Sequence, residues 1–491
     1  MSCRVTRIRF VLFLWAIVFF APWGFASTAQ DEIQKLLAPY KKKVGFSLRD
    51  RSGKELFHVN GAQFFAPASV AKAVSVGCSL RELGPFFQYE TVFGYRGKIE
   101  KGVLKGDLVI QGAGDPSFVI EDLKEILEKI RFVHGVQKIE GSLIFDVSYM
   151  GVKSLQLAEG FEGDNGRSFA ADLTALPMNQ NSFSFWAVVD PENAKTVLAT
   201  TLPAHVVDVR ITNKMVVKKS SGNSENFGDS GGAGGSSAAS SGGPLVVSYD
   251  PSKQTATLSG AMVSGAEPKV IYRAVGDVYG YYLNLVARVW KDMGGVWGNP
   301  EYKIETQPVK MSLLYKHNSR PLGKILMDVN KLSLNMGAEL TFLAAGVSAQ
   351  GRPATYSKSL SLLKRCVREM GVADGEIQLT NASGLSREAR VKPSALTLFL
   401  INHLRTPYAQ EYVSSFSLMG FDGTAKTRLA GKYPGRVRVK TGSIQKVVSL
   451  AGYVYDKDFV PKSFVLIFND VDRNDTSVKD VGDRIVEVLL R

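Results

Sequence analysis

Both ends of this 491-residue chain read as strands of a single sheet, and that requirement constrains the fold more than anything between them. Near the start, Val44 to Asp50 and Leu56 to Asn60 flank Arg51-Ser52-Gly53-Lys54, the pattern of a hairpin. Near the end, Val437 to Ser443, Val447 to Tyr455 and Ser463 to Asp470 are rich in β-branched and aromatic residues and read as three more strands. A closing helix is expected over Thr476 to Leu490, where Val478, Val481, Ile485, Val488 and Leu489 offer an apolar face. Strands from both termini joined in one antiparallel sheet flanked by helices give an α+β arrangement, and the middle of the chain becomes an insertion.

Residues from about 91 to 271 differ from the ends in being rich in short strand-like runs, such as Gly106 to Ile110 and Ser182 to Ala187. Helical patterns return over Tyr279 to Asp292, Pro321 to Asp328, Met336 to Ala345, Tyr356 to Met370 and Pro393 to His403. We therefore expect residues 30–90 and 272–491 to form one domain and 91–181 a second. Residues 182–271 are expected to form a third, nested within the second. Within that third segment, 220–243 is mostly Gly, Ser, Ala and Asn and reads as a flexible low-complexity loop.

The first 29 residues have the composition of a secretory signal: Arg4, Arg7 and Arg9, then an uncharged apolar run from Phe10 to Ala21, then Pro22 and small residues ending at Ala26 or Ala29. Its removal lowers the net charge from +14 to +11, because three arginines and no acid leave with it. A periplasmic or secreted protein of this charge suits an anionic neighbour such as cell wall or membrane surface. No basic run is interleaved with aromatics, so nucleic acid is not an expected partner. Cys3 leaves with the signal. Cys78 and Cys366 each lie in an apolar helical stretch, so although the compartment permits a bridge, buried free thiols are expected. The five histidines show no paired ligand spacing, and neither metal nor organic cofactor is expected.

Three short motifs carry the chemistry. In Ser69-Val70-Ala71-Lys72, Pro67 suits a first helical turn, and a helix begun there sets Ser69 and Lys72 one turn apart on the same face. A hydroxyl beside an amine at a helix start is an activated nucleophile, provided that the amine loses its proton near neutral pH. Ser333-Leu334-Asn335 and Lys440-Thr441-Gly442 follow in the order found in penicillin-binding proteins and serine β-lactamases. In that scheme Ser69 attacks, Lys72 is its base, and Lys440 is the neighbouring cation that lowers the Lys72 pKa and attracts the substrate carboxylate. Ser333 passes a proton towards the leaving amine, and Asn335 orients Lys72 and the substrate amide. Thr441 binds the carboxylate, Gly442 lets substrate lie along its strand, and the N–H groups of Ser69 and Ser443 form the oxyanion hole. Decoys exist. Ser361 to Lys364 and Ser443 to Lys446 also match Ser-x-x-Lys, and Gly228-Asp229-Ser230-Gly231-Gly232 spells a chymotrypsin-like segment inside the Ser/Gly tract. Only the ordered set places each group on a suitable element.

With these motifs the chain resembles the low-molecular-mass class C penicillin-binding proteins, the penicillin-binding-protein-4-like D-alanyl-D-alanine carboxypeptidases/endopeptidases. The likeness extends to Gly106-Asp107-Leu108 with Gly112-Ala113-Gly114-Asp115-Pro116, to Ala382-Ser383-Gly384-Leu385-Ser386-Arg387, to Asp422-Gly423-Thr424 and to Ala451-Gly452-Tyr453-Val454. The 264-residue step from Ser69 to Ser333 fits as well, since that family carries two extra domains there. The resemblance implies a β-lactamase/transpeptidase-like domain with a large strand-rich insertion. It also implies hydrolysis of peptidoglycan stem peptides and D-Ala-diaminopimelate crosslinks through an acyl-serine, with β-lactam antibiotics as covalent inhibitors. By the same resemblance Arg387 would bind the side-chain carboxylate of diaminopimelate and Asp164 its amino group. Asn381 and Leu334 depart from the family pattern, Asn381 standing where Asp is usual and Leu334 replacing a polar middle residue. The rival readings are a serine β-lactamase, which the long insertion and the lack of a Glu-x-x-Leu-Asn segment disfavour, and a non-catalytic peptidoglycan or β-lactam binder.

Overall fold

The computed structural model describes residues 23–157, 166–203, 209–218, 245–250 and 253–491. Along the chain, α1 (Trp23–Leu37) leads into the hairpin of β1 (Val44–Arg49) and β2 (Glu55–Val59). Pro67 then opens a tight 3-10 turn, Ala68–Val70, in which Ala68 holds a left-handed φ of 50°. The turn runs directly into α2 (Ala71–Leu83), and Gly84 ends that helix at φ 75°. Every residue of α2 from Ala71 to Leu80 is buried, so the helix carrying Lys72 runs through the interior.

The chain next leaves this sheet. β3 (Glu90–Glu100), β4 (Val103–Gln111), α3 (Ile120–Glu128), β5 (Lys138–Ile139) and β6 (Leu143–Asp146) begin the insertion. β7 (Ser182–Val189) pairs with β8 (Val197–Leu202) on one side and with a later strand, β12 (Lys269–Ala274), on the other. Between them β9 (Arg210–Lys218), β10 (Val246–Asp250) and β11 (Thr255–Val263) form a second three-stranded sheet. The Ser/Gly tract expected to be a flexible loop lies outside the described residues.

After α4 (Val278–Asp292) come β13 (Val296–Trp297), β14 (Tyr302–Glu305) and β15 (Ser312–Asn318). Here the structure corrects the expectation that the chain rejoins its first domain at 272. β13 pairs parallel with β5, β14 parallel with β6, and β15 antiparallel with β3, so all three complete a seven-stranded sheet with the early insertion. The return comes after Asn318. Local strand signals do not report such pairing, because parallel strands are joined through distant crossovers.

The remaining elements rebuild the first domain: α5 (Leu322–Lys331), α6 (Asn335–Gln350), α7 (Tyr356–Glu369), the short pair β16 (Ile377–Gln378) and β17 (Arg390–Val391), α8 (Pro393–His403) and α9 (Ala409–Ser415). They are followed by β18 (Ser417–Leu418), β19 (Val437–Ile444), β20 (Val447–Tyr455), β21 (Pro461–Asn469) and α10 (Thr476–Leu490). The six-stranded sheet runs β18-β19-β20-β21-β1-β2, antiparallel throughout, so the two chain ends do share one sheet. Its alternation is strict. On β21, Phe464, Leu466 and Phe468 pack towards α1 and α10, while Val465 and Ile467 pack with α2 and α8 on the other face. Burial on both faces explains why β20 and β21 read as nearly continuous apolar runs.

The expectation of free thiols fails: Cys78 on α2 and Cys366 on α7 form a disulfide with Cα atoms 5.8 Å apart. Each cysteine sits on the buried side of its helix, and the two helices cross at that point, so the apolar context that suggested isolated thiols is the contact that joins them. Among the described residues no helix is long and apolar enough to cross a membrane.

Candidate active site

The three motifs converge where the start of α2, the start of α6 and the middle of β19 meet. Lys72 Nζ lies 2.9 Å from Ser69 Oγ, 2.6 Å from Asn335 Oδ1 and 2.9 Å from the Ser383 carbonyl oxygen. The last two partners can only accept. A neutral Lys72 therefore spends both N–H bonds on them, and its lone pair is left facing the Ser69 hydroxyl. Burial pushes the Lys72 pKa from its ordinary 10.5 down to about 7, against the opposing pull of the Glu339 carboxylate. The geometry of a base and its nucleophile is thus in place at neutral pH.

Lys440, also fully buried, donates to Ser333 Oγ at 2.9 Å and to the Thr441 carbonyl at 2.8 Å. Burial first, and then the nearby Lys72, drive its pKa well below the usual lysine value. Two ammonium groups cannot comfortably share this interior, so each lysine favours the neutral form of the other. Ser333 holds a left-handed φ of 59°, uncommon for a residue with a side chain, at the turn where α5 gives way to α6. That turn is what aims its hydroxyl at Lys440. Thr441 Oγ1 meets Thr424 Oγ1 at 2.6 Å, extending the hydroxyl row along β19.

Two glycines permit the close approaches. A Cβ on Gly442 would collide with Ser449 Oγ and stand 3.0 Å from the backbone nitrogens of Ser69 and Val70. A Cβ on Gly384, which adopts φ 76°, would collide with the Ala68 carbonyl. The 382–385 turn and β19 therefore close on the Ser69 turn from two sides, and Ser449 Oγ pins that turn further through the Pro67 carbonyl at 2.7 Å.

Of the other expected residues, Ser443 is exposed at the rim of the same strand. Arg387 is exposed as well, and it donates to Gln445 Oε1 at 2.9 Å, just past the end of β19. No ion pair ties it to another domain among the described residues. Asp164 lies outside the described residues. Asn381 Oδ1 accepts the Gly384 N–H at 3.1 Å, a bond that an amide makes as readily as the usual aspartate would. Leu334 lines a small cavity with Pro116, Val329 and Gly337, packing beneath the turn. The decoy Ser361 and Lys364 both face solvent on α7.

Two participants escaped the sequence reading. The Phe169 carbonyl, from the insertion, accepts from Asn335 Nδ2 at 3.2 Å and so fixes which end of that amide faces Lys72. A backbone carbonyl leaves no sequence signal. Glu339, fully buried one turn beyond Asn335, accepts the N–H groups of Ala382 and Ser383 at 2.9 and 2.8 Å. A single acid within the apolar run Met336 to Gly346 was the clue available.

A D-alanyl-D-alanine carboxypeptidase of Haemophilus influenzae is 25% identical over 472 residues, covering 95% of this chain and 93% of that protein. The crystal structure of penicillin binding protein 4 from Haemophilus influenzae superposes with a TM-score of 0.73 at 22% identity, over 93% of this chain and 98% of that one. The same protein complexed with a β-lactam matches at 0.70 with the same identity and coverage. The D-Ala-D-Ala carboxypeptidase 3 (S13) family matches residues 30–490, and the motifs that meet around Lys72 all fall inside that span. Over nearly its whole length, this chain belongs to the D-Ala-D-Ala carboxypeptidase 3 (S13) family.

Proposed function

We propose that this protein is a periplasmic serine DD-peptidase that removes the terminal D-Ala of peptidoglycan stem peptides and cleaves D-Ala-diaminopimelate crosslinks. The observation that carries the reading is the pair of acceptors on Lys72, the Asn335 oxygen and the Ser383 carbonyl, which leaves its lone pair facing Ser69.

In this reading the Ser69 hydroxyl gives its proton to Lys72 Nζ as Oγ bonds to the carbonyl carbon of the penultimate D-Ala. The N–H groups of Ser69 and Ser443 take the developing oxyanion. As the C–N bond breaks, the proton taken up by Lys72 passes through the Ser333 hydroxyl, which Lys440 holds, to the leaving amine, and Lys72 is neutral again. Water then attacks the acyl-serine and gives a proton to Lys72, which passes it to Ser69 Oγ as the acyl C–O bond breaks. Thr441, with Lys440 behind it, binds the substrate carboxylate, and Gly442 allows the peptide to run beside β19. A β-lactam enters the same path and stalls at the acyl-enzyme; the Haemophilus influenzae relative solved with a β-lactam supports that partner. No metal or organic cofactor has a place in the scheme.

For crosslinks, Arg387 is the residue to receive the carboxylate of diaminopimelate. Its guanidinium keeps donors beyond the one given to Gln445, and guanidinium suits a paired carboxylate. Asp164 would meet the amino group. Export through residues 1–29 fits the packing of α1, since Gln30 bonds to the Leu56 carbonyl and Ile33, Leu36 and Leu37 enter the core beyond either cleavage position.

Labelling with fluorescent penicillin, followed by mass mapping of the adduct, tests the assignment. We expect the label on Ser69 and none on Ser69→Ala; a labelled Ser69→Ala protein would overturn the nucleophile. Digestion of crosslinked muropeptides separates peptidase from β-lactamase. Fast penicillin turnover with untouched muropeptides would favour the latter.

A further inference from the structure

The carboxylate of Glu339 is a buried charged group beside the cleft that the acyl-transfer scheme leaves without a task. It sits on α6 four residues after Asn335, fully buried, with one oxygen on the Ala382 N–H and the other on the Ser383 N–H. The Ser383 and Tyr356 hydroxyls also hydrogen-bond to it. Burial is the larger influence and raises the pKa of this carboxyl, while donors converging on both oxygens bond the charged form and pull the other way.

The peptide unit it grips is the one that matters to Lys72. Ser383 gives its N–H to Glu339 and its carbonyl to Lys72 Nζ, so the carboxylate and the catalytic amine lie on the two sides of a single turn. That turn is tight, with Gly384 passing where a Cβ would strike the Ala68 carbonyl, and Ser75 Oγ holds it through the Ala382 carbonyl at 2.8 Å. The charged and titratable groups that face Lys72 are Lys440 from β19 and Glu339 from α6, with Tyr356 of α7 behind the carboxylate. Two buried lysines thus face one buried acid.

Resting on the reading of Lys72 as the base for Ser69, we infer that Glu339 is a positioning residue of the site. Its carboxylate fixes the turn that presents the Ser383 carbonyl to Lys72, and its negative charge offsets the buried lysines. Ser383 thereby claims one Lys72 N–H bond and keeps the lone pair aimed at Ser69. Without the anion, the attraction that holds the Lys72 proton is lost, and the proton leaves Lys72 at lower pH.

The test measures the rate of acylation by fluorescent penicillin from pH 5 to 9 in the full chain and in Glu339→Gln, with thermal melts and the mass of the Ser69 adduct as controls. The amide can accept one of the two backbone N–H groups while its own NH2 opposes the other. The plateau rate should fall about tenfold, the effect of one lost hydrogen bond. The acid limb should move down by about one pH unit, the effect of a neighbouring charge removed. A folded Glu339→Gln protein whose rate falls with its limb unmoved overturns the charge role. Glu339→Asp keeps the charge on a shorter stem, so its rate should fall with the limb in place; a limb displaced by a unit there overturns the inference even if the amide variant does not fold. Absence of a Ser69 adduct in the unsubstituted protein would instead sink the reading of the site itself, a separate result.

Discussion

The two sides of the cleft are built by different means. On the Ser69 side, Lys72 is held by a backbone carbonyl, an amide and a hydroxyl, and the turn behind it is clamped by a buried carboxylate and a glycine. On the β19 side, three partly exposed hydroxyls, those of Ser333, Thr441 and Thr424, line up with the buried amine of Lys440. The first side is held by a backbone carbonyl and by a buried carboxylate that bonds two backbone N–H groups. The second is made of rotors that can rearrange around a substrate. This division suits the chemistry: the nucleophile and base must be aligned before substrate arrives, whereas the carboxylate-binding side can tighten on it.

The sharpest way to break the contrast is at the base. Lys72→Ala should lower acylation by roughly 10²- to 10⁴-fold, the usual weight of a general base, with a melting curve close to that of the parent protein. In the parent protein, acylation should climb as pH rises through about 7 and then level off, because Lys72 must lose its proton to act. A limb near the ordinary lysine value of 10.5 would show that burial does not set this group.

The scaffold beneath that side comes next. Cys366→Ser opens a link that spans 288 residues and joins α2 to α7, with an expected loss of about 2–5 kcal/mol in denaturant titrations. Acylation of the folded fraction should persist, since neither sulfur touches the cleft. Gly384→Ala forces a side chain against the Ala68 carbonyl at a left-handed φ. Its cost should be about 2–3 kcal/mol, with acylation slowed in parallel because Ser69 follows Ala68 directly. An unchanged rate would show that the 382–385 turn does not set the nucleophile.

On the β19 side the expected effect is smallest. Thr424→Val removes one hydroxyl partner from Thr441, worth about 1 kcal/mol, and should raise KM several-fold for a D-Ala-D-Ala peptide with kcat nearly intact. A collapse in kcat instead would mean that this side is as rigidly required as the other.

The same contrast governed what could be read in advance. The sheet of the chain ends was legible because β20 and β21 are buried on both faces and their apolar residues alternate without interruption. α10 was legible to the residue at both ends, its apolar face marking its length. The insertion was legible only as strand-rich. That β13, β14 and β15 belong with β3 to β6 depends on partners far away in sequence, parallel for β13 and β14 and antiparallel for β15, to which local pattern is blind. The disulfide was missed for a related reason: an apolar helical cysteine looks the same whether or not a second one stands 5.8 Å away.

The sequence by itself determined which side chains can do the chemistry. Ser69 and Lys72 are one turn apart on any helix that begins at Pro67, and the order of the three motifs names their partners. Tertiary structure alone decided what state those groups are in. Lys72 is a base near neutral pH because the fold buries it, and its lone pair faces Ser69 because two N–H bonds are spent on the Asn335 oxygen and the Ser383 carbonyl. A proton affinity is a property of surroundings, and these surroundings are assembled from residues up to 368 positions away along the chain, from Lys72 to Lys440.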